Sequence, residues 1–238
     1  MPVHGYSPVS ISQELSVQKG FKRALLDAFP LSLSVFTYGT AYGALAHSTN
    51  HLSLFQTLAM SAFVFAGSSQ FTILGLLHQG AMMWTIIGST FLINARQILY
   101  GLTLGQSLKH LRKRDLAWLA HGMTDESYSV TTVEAEKNQV RVTYFAGAGT
   151  AIIGPWLFSS AVGFWLGGLI GDPARFGLDF AFIGAFLGLL IAQLKQRRQV
   201  VAAIASAVVS TVIYHFFGTS SAVLVGALAA FSVGVYTK

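Results

Sequence analysis

Cysteine is absent from all 238 residues. Its absence excludes disulfides, thiolate metal sites and cysteine nucleophiles, and leaves histidine and carboxylate chemistry open. Charge is nearly as scarce: Asp, Glu, Lys and Arg make up 10% of the chain, against about 25% in a soluble domain. Residues 28 to 95 carry no formal charge at all. At about 20 apolar residues per helical crossing, that run has room for two or three spans. Also missing are His-Glu-x-x-His, Gly-x-Ser-x-Gly and the Gly-x4-Gly-Lys-Ser/Thr loop, so the common metalloprotease, serine-hydrolase and phosphate-loop signatures do not apply. No cleaved signal is expected, because residues 1 to 20 contain Pro2, Pro8, Glu14 and many polar side chains, with no apolar core before a small-residue cleavage site.

What is present points to a membrane. Hydrophobic residues make up 53%, glycine occurs 24 times, and the mean hydropathy is +0.58. The net charge of +6 lies in short basic runs beside apolar segments, as in cytoplasmic loops, so a lipid bilayer rather than nucleic acid is the expected surroundings. The apolar runs lack the period-two alternation of outer-membrane strands, and backbone groups in lipid must be satisfied internally. The expected fold is all-α, a polytopic bundle with helices near residues 24 to 46, 56 to 77, 84 to 105, 143 to 170, 177 to 194, 198 to 217 and 219 to 236. Residues 1 to 23 are read as a cytoplasmic N-terminal segment and 24 to 238 as a single transmembrane transport domain.

The basic clusters Lys19/Lys22/Arg23, Lys109/Arg112/Lys113/Arg114, Lys137/Arg141 and Lys195/Arg197/Arg198 constrain the topology. Three full crossings from a cytoplasmic start would put residues 109 to 114 outside, against the positive-inside rule. One early segment therefore fails to cross fully, and the best candidate is the second, where Ala66-Gly67-Ser68-Ser69 interrupts a Phe-rich run with small residues. A broken or re-entrant helix there restores the parity; alternatively residues 117 to 134 cross as a polar helix. The count is about seven spans, six to eight. Glycine pairs at helical spacing, Gly39/Gly43, Gly101/Gly105, Gly163/Gly167, Gly167/Gly171 and Gly184/Gly188, are expected to pack helices closely within the molecule. Gly147-Ala148-Gly149, with no preceding strand, is read the same way. His47 and His51 lack a third ligand and are read as polar loop histidines, and no metal or other cofactor is expected.

Three blocks carry chemistry. An arginine within an apolar span costs about 2.5 to 3.5 kcal/mol on insertion scales, so Arg96 should face a cavity or a partner. Asn94, Gln97, Tyr100 and Gly101 would share its broad polar face. In the second block, Gly67, Ser68, Ser69 and Gln70 at a helix break can expose backbone N–H groups with the positive end of a half-helix dipole, a seat for a carboxylate. The competing reading is close packing through small residues. In the third block, Asp125 and Glu126 lie next to Thr124. They either cap a helix or, if the segment enters the bundle, pair with Arg96 or a substrate ammonium and carry a proton. Asp27 and Asp179 are weaker proton carriers.

Across most of residues 20 to 238 the sequence resembles the AzlC family, the larger subunits of bacterial branched-chain amino-acid exporters. The likeness rests on Phe65-Ala66-Gly67-Ser68-Ser69-Gln70 within residues 61 to 71, on Asn94-Ala95-Arg96-Gln97-Ile98-Leu99-Tyr100-Gly101 and on Thr124-Asp125-Glu126-Ser127-Tyr128. The family often has histidine after the arginine, where this chain has Gln97. The resemblance implies export of leucine, isoleucine, valine or similar amino acids, driven by the proton gradient, in the bacterial inner membrane and with a small hydrophobic AzlD-like subunit. In such a transporter Arg96 or residues 67 to 70 would hold the carboxylate, Asp125 or Glu126 the ammonium and the coupling proton, and Phe65 or Phe71 the aliphatic group. An importer with the same site and, more distantly, an intramembrane enzyme using Asp125 are the rivals.

Overall fold

In the computed structural model, residues 11–109, 111–137, 140–169, 187, 190, 191, 194 and 196–236 are described, and among them there are helices and connecting turns but no strand. In chain order the helices are α1 (Ile11–Ser48), α2 (Leu54–Phe63), α3 (Gly67–His78), α4 (Met83–Asn94), α5 (Arg96–Leu108), α6 (Lys113–His121), α7 (Asp125–Lys137), α8 (Val142–Leu169) and α9 (Arg197–Tyr236). Two stretches, Val142–Leu169 and Arg197–Gly218, are both long and apolar enough to cross a membrane. Along the second, Val200, Ile204, Val208, Val212 and Phe216 form an exposed apolar stripe. Water would penalise such a stripe and hydrocarbon would not.

Several expected boundaries shift. The first helix begins at Ile11 rather than near residue 24. The span expected over 56 to 77 is two helices, and the interruption falls at Val64–Ala66, taking in only the first of the four small residues, so that Gly67, Ser68 and Ser69 open α3 instead of breaking it. The helix expected over 84 to 105 is divided at Ala95, whose N–H is shared between Phe91 O (2.9 Å) and Leu92 O (3.3 Å). A shared donor of this kind marks a tightened turn between helices. The continuous polar helix weighed over 117 to 134 is replaced by α6 and α7, separated at Gly122–Thr124. The helix expected over 177 to 194 lies almost wholly outside the described residues, as does Asp179.

Two compact units divide the chain. One takes in the described residues up to Val35 together with Tyr100–Pro155. Its core packs Ala24 and Ala28 of α1 against Val130 of α7 and Tyr144, Ala148 and Ala151 of α8, with a second cluster of Leu104, Leu108, Leu119, Val140 and Phe145. Small residues on α1 and α8 allow this approach: a Cβ on Gly147 would lie 2.7 Å from Phe21 O. Gly147-Ala148-Gly149 is thus a packing face, as expected. Pro155 has no N–H to give the carbonyl four residues back, Ala151 O. That carbonyl is instead taken by the Ser32 hydroxyl of α1 at 2.7 Å.

The other unit comprises Phe36–Leu99 and the described residues from Trp156 onward. Here α1 and α8 pack through opposed glycines: Gly39 and Gly43 lie against Ser159 and Ser160, Gly163 against Thr40, and Gly167 against Ala44. Two of the predicted glycine pairs therefore do the packing expected of them, whereas Gly101 and Gly105 have open space on their Cβ side. In α9, Gly218 adopts φ 76°, ψ −177°, a conformation essentially reserved for glycine. It falls at the boundary expected between 217 and 219. Ser206 Oγ donates to Gly226 O at 2.9 Å and Ser210 Oγ to Ala222 O at 3.1 Å, so the arms before and after Gly218 run antiparallel.

Candidate functional site

The break between α2 and α3 is built by local chemistry. Ser53 and Gln56 form a reciprocal capping box that fixes the start of α2. Its last turn closes with Val64 N–H donating to Met60 O at 2.9 Å, and Ala66 then runs extended into Gly67. Ala66 offers no side chain to cap the new helix, so the first N–H groups of α3, at Gly67, Ser68 and Ser69, keep their donors outside the intrahelical pattern, at the positive end of its dipole. Gly67 is also where Trp156 lies close: a Cβ there would be 2.9 Å from the indole Cη2.

The second break meets the first within the same unit. Ser69 Oγ donates to Asn94 Oδ1 at 3.0 Å, and Arg96 Nη2 donates to Ser68 Oγ at 2.8 Å. Asn94 closes α4 and Arg96 opens α5, so the turn at Ala95 delivers an amide and a guanidinium to the first turn of α3. Dipole, N–H donors and guanidinium all favour an anion there. Beside this turn lies a buried polar group. Gln70 Nε2 donates to Ser61 Oγ at 3.2 Å, the Ser61 and Ser160 hydroxyls share a bond of 3.3 Å, and Tyr42 OH donates to Thr57 O at 3.1 Å. Gln70 Oε1 and Trp156 Nε1 are buried and have no hydrogen-bond partner among the described residues. The Tyr42 ring stacks on Trp156 at 5.7 Å and meets Phe71 edge-on at 6.2 Å. Phe71 and Phe65, considered for a substrate side chain, are both buried.

In the other unit, Tyr100 OH donates to Asp125 Oδ1 at 2.7 Å, and its ring stacks on Tyr128 at 4.0 Å. Thr124 and Ser127 bond reciprocally, Ser127 N–H to Thr124 Oγ1 at 3.2 Å and Thr124 N–H to Ser127 Oγ at 2.8 Å. This caps α7 and places Asp125 and Glu126 in its first turn, where the dipole favours negative charge. Both carboxylates are half-buried. Of the nine candidate residues, the structure brings Gly67, Ser68, Ser69, Gln70, Asn94 and Arg96 together in one unit. Tyr100 and Asp125 are joined in the other, with Glu126 beside them.

Trp156, Ser160, Ser61 and Tyr42 were not singled out from sequence. The available signal was Ser159-Ser160 set between Pro155 and the Gly163/Gly167 pair, hydroxyls where lipid-facing leucines would otherwise serve. His47 packs its ring on Phe164 at 4.4 Å, and His51 occupies the following turn with φ 52°.

The family model described as AzlC protein matches residues 30–170. Among relatives, an uncharacterized membrane protein of Helicobacter pylori strain J99 is 30% identical over 86% of this chain and 91% of its own length. The inner membrane protein YgaZ of Escherichia coli K12 is 28% identical over 82% of each chain. The branched-chain amino acid transport protein AzlC of Bacillus subtilis strain 168 is 25% identical over 97% of this chain and 91% of its own. No solved structure matches. With three sequence blocks placed at two helix breaks and a capped helix start, and with a family match over more than half its length, the chain belongs to the AzlC family.

Proposed function

We propose that this chain is a secondary transporter exporting leucine, isoleucine, valine or similar amino acids across the bacterial inner membrane, coupled to the proton gradient and working with a small hydrophobic AzlD-like subunit. The observation that carries the proposal is the Arg96–Ser68 bond of 2.8 Å at the open first turn of α3. An amino-acid carboxylate replacing the serine hydroxyl would gain a guanidinium and helix N–H groups together. Gly67, Ser69, Gln70 and Asn94 shape that seat, while Asp125, held by Tyr100, and its neighbour Glu126 are the acids proposed for the ammonium and the coupling proton. The proposed topology has about seven crossings, with the α2–α3 pair as two half-helices, and with residues 1–23 and the loop Lys109–Arg114 in the cytoplasm.

The test is counterflow of labelled leucine in proteoliposomes, with and without the small subunit. Unaltered leucine should exchange across the bilayer and Arg96→Lys should exchange poorly. A changed substrate mass would identify an enzyme instead, and no exchange with either preparation would defeat the proposal.

A further inference from the structure

Away from both sites, the first unit holds a charge network that the transport reading has not used. Glu134 of α7 is buried, with its side chain 10% exposed, and its Oε2 lies 3.0 Å from Arg23 Nη2 of α1. Arg23 Nε is also 3.7 Å from Asp27 Oδ2, one turn along α1. Tyr144 of α8 donates its hydroxyl proton to that same Asp27 oxygen at 2.7 Å. Arg23 and Asp27 are about half exposed, at 53% and 42%. Ala24, Ala28, Val130, Ala148 and Ala151 form an apolar cluster in the same unit. The titratable groups gathered with Glu134 include Arg23 and Asp27 from α1 and Tyr144 from α8.

One guanidinium lies within ion-pair distance of two carboxylates, and one of them, Glu134, is withdrawn from water. A staple needs only one acid. A second acid, bonded to a tyrosine and left at the longer distance from the same cation, gives the guanidinium two alternative partners. The network also has a wet end, Arg23 and Asp27, and a dry end, Glu134.

We propose that Glu134 and Asp27, sharing Arg23, form a proton-binding station of the transport cycle, additional to Asp125 and Glu126. One proton adds from water to a carboxylate oxygen of the pair and leaves a neutral acid. Arg23 keeps its charge and pairs with the carboxylate still ionised, and the proton returns to water when the cycle turns over. This rests on the reading of the chain as a proton-coupled transporter.

The experiment uses the full chain, with any subunit that co-purifies, in liposomes. It compares the parent, Glu134→Gln, Glu134→Asp and Asp27→Asn for labelled-leucine counterflow without a gradient, leucine flux driven by an imposed pH gradient, and thermal unfolding. Glu134→Gln should keep counterflow, lose gradient-driven flux about tenfold or more, and flatten the pH profile of exchange, with Glu134→Asp restoring coupling. Normal coupling in both Glu134→Gln and Asp27→Asn overturns the station, as does loss of counterflow and driven flux in equal measure in a folded Glu134→Gln. If Glu134→Gln fails to fold, Tyr144→Phe decides: it removes only the hydroxyl on Asp27, and an unchanged pH profile overturns the station. A parent that exchanges leucine but shows no gradient-driven flux overturns proton coupling and the station with it. Coupling present in the parent and intact in the variants overturns the station alone.

Discussion

Arg96 shows what one charge reveals when its surroundings carry none. Its rarity in an apolar run made it legible from sequence, and Ser68 is the partner that the small-residue block supplied. A planar guanidinium can hold a carboxylate through two parallel N–H bonds and an ammonium cannot. Arg96→Lys is therefore expected to reduce leucine exchange about tenfold or more, on the order of 1.5 to 3 kcal/mol for a charged hydrogen bond, without a matching loss of thermal stability; both are measured on the same purified variant. Gly67 gives a second expectation. A methyl group there would press on the Trp156 ring at 2.9 Å, so Gly67→Ala should weaken exchange, and Trp156→Phe, with its smaller ring, should recover part of it. Glu134 was not legible for the opposite reason to Arg96. It lies in a segment rich in charges, and its place on the face of α7 that buries Ser127, Val130 and Thr131 is set by tertiary packing that no residue type in the segment announces.

At the scale of the helix, broken hydrogen bonds and their replacements set what can be tested. Ser32→Ala leaves Ala151 O without the hydroxyl that substitutes for Pro155's missing donor, and should cost about 0.6 to 2 kcal/mol. If that account is correct, the cost disappears when Pro155→Ala restores a backbone N–H, a result that thermal unfolding of the four members of a double-mutant cycle would show. Glycine positions separate in the same way. Gly43→Val drives a side chain into the Ser160 carbonyl and should destabilise by about 1 to 3 kcal/mol or more, whereas Gly101→Ala, with open space beside it, should be neutral or slightly stabilising. The helix-by-helix pattern was readable where residue type dictates backbone: Gly and Ser at the α3 start, Gly218 between the arms of α9, Thr124 before α7. It failed at Ala95, because alanine is the strongest helix former and nothing in its side chain marks a turn. That turn is set by the tertiary bonds of Asn94 and Arg96. The α2–α3 break lies at Val64–Ala66, a little before the expected centre of the interruption, because nothing in the side chains of Val64 and Phe65 marks the end of α2.

For the whole molecule, the missing cysteines become a tool, because any introduced thiol reports alone. A cysteine at Lys113 should resist an impermeant thiol reagent added to sealed cells and react after permeabilisation, if the basic loop is cytoplasmic; rapid external labelling would reverse the proposed topology. The reversal at Gly218 has a consequence of another kind. A hairpin turned by a single residue leaves no loop between its arms; in the proposed topology both arms would enter the bilayer together as one folded tooth, and the chain would leave on the face by which it entered. A reporter that matures only in the cytoplasm, placed once before Arg197 and once after Lys238, should glow in both fusions or in neither. Protein biogenesis would then treat the forty residues of α9 as one insertion event rather than two.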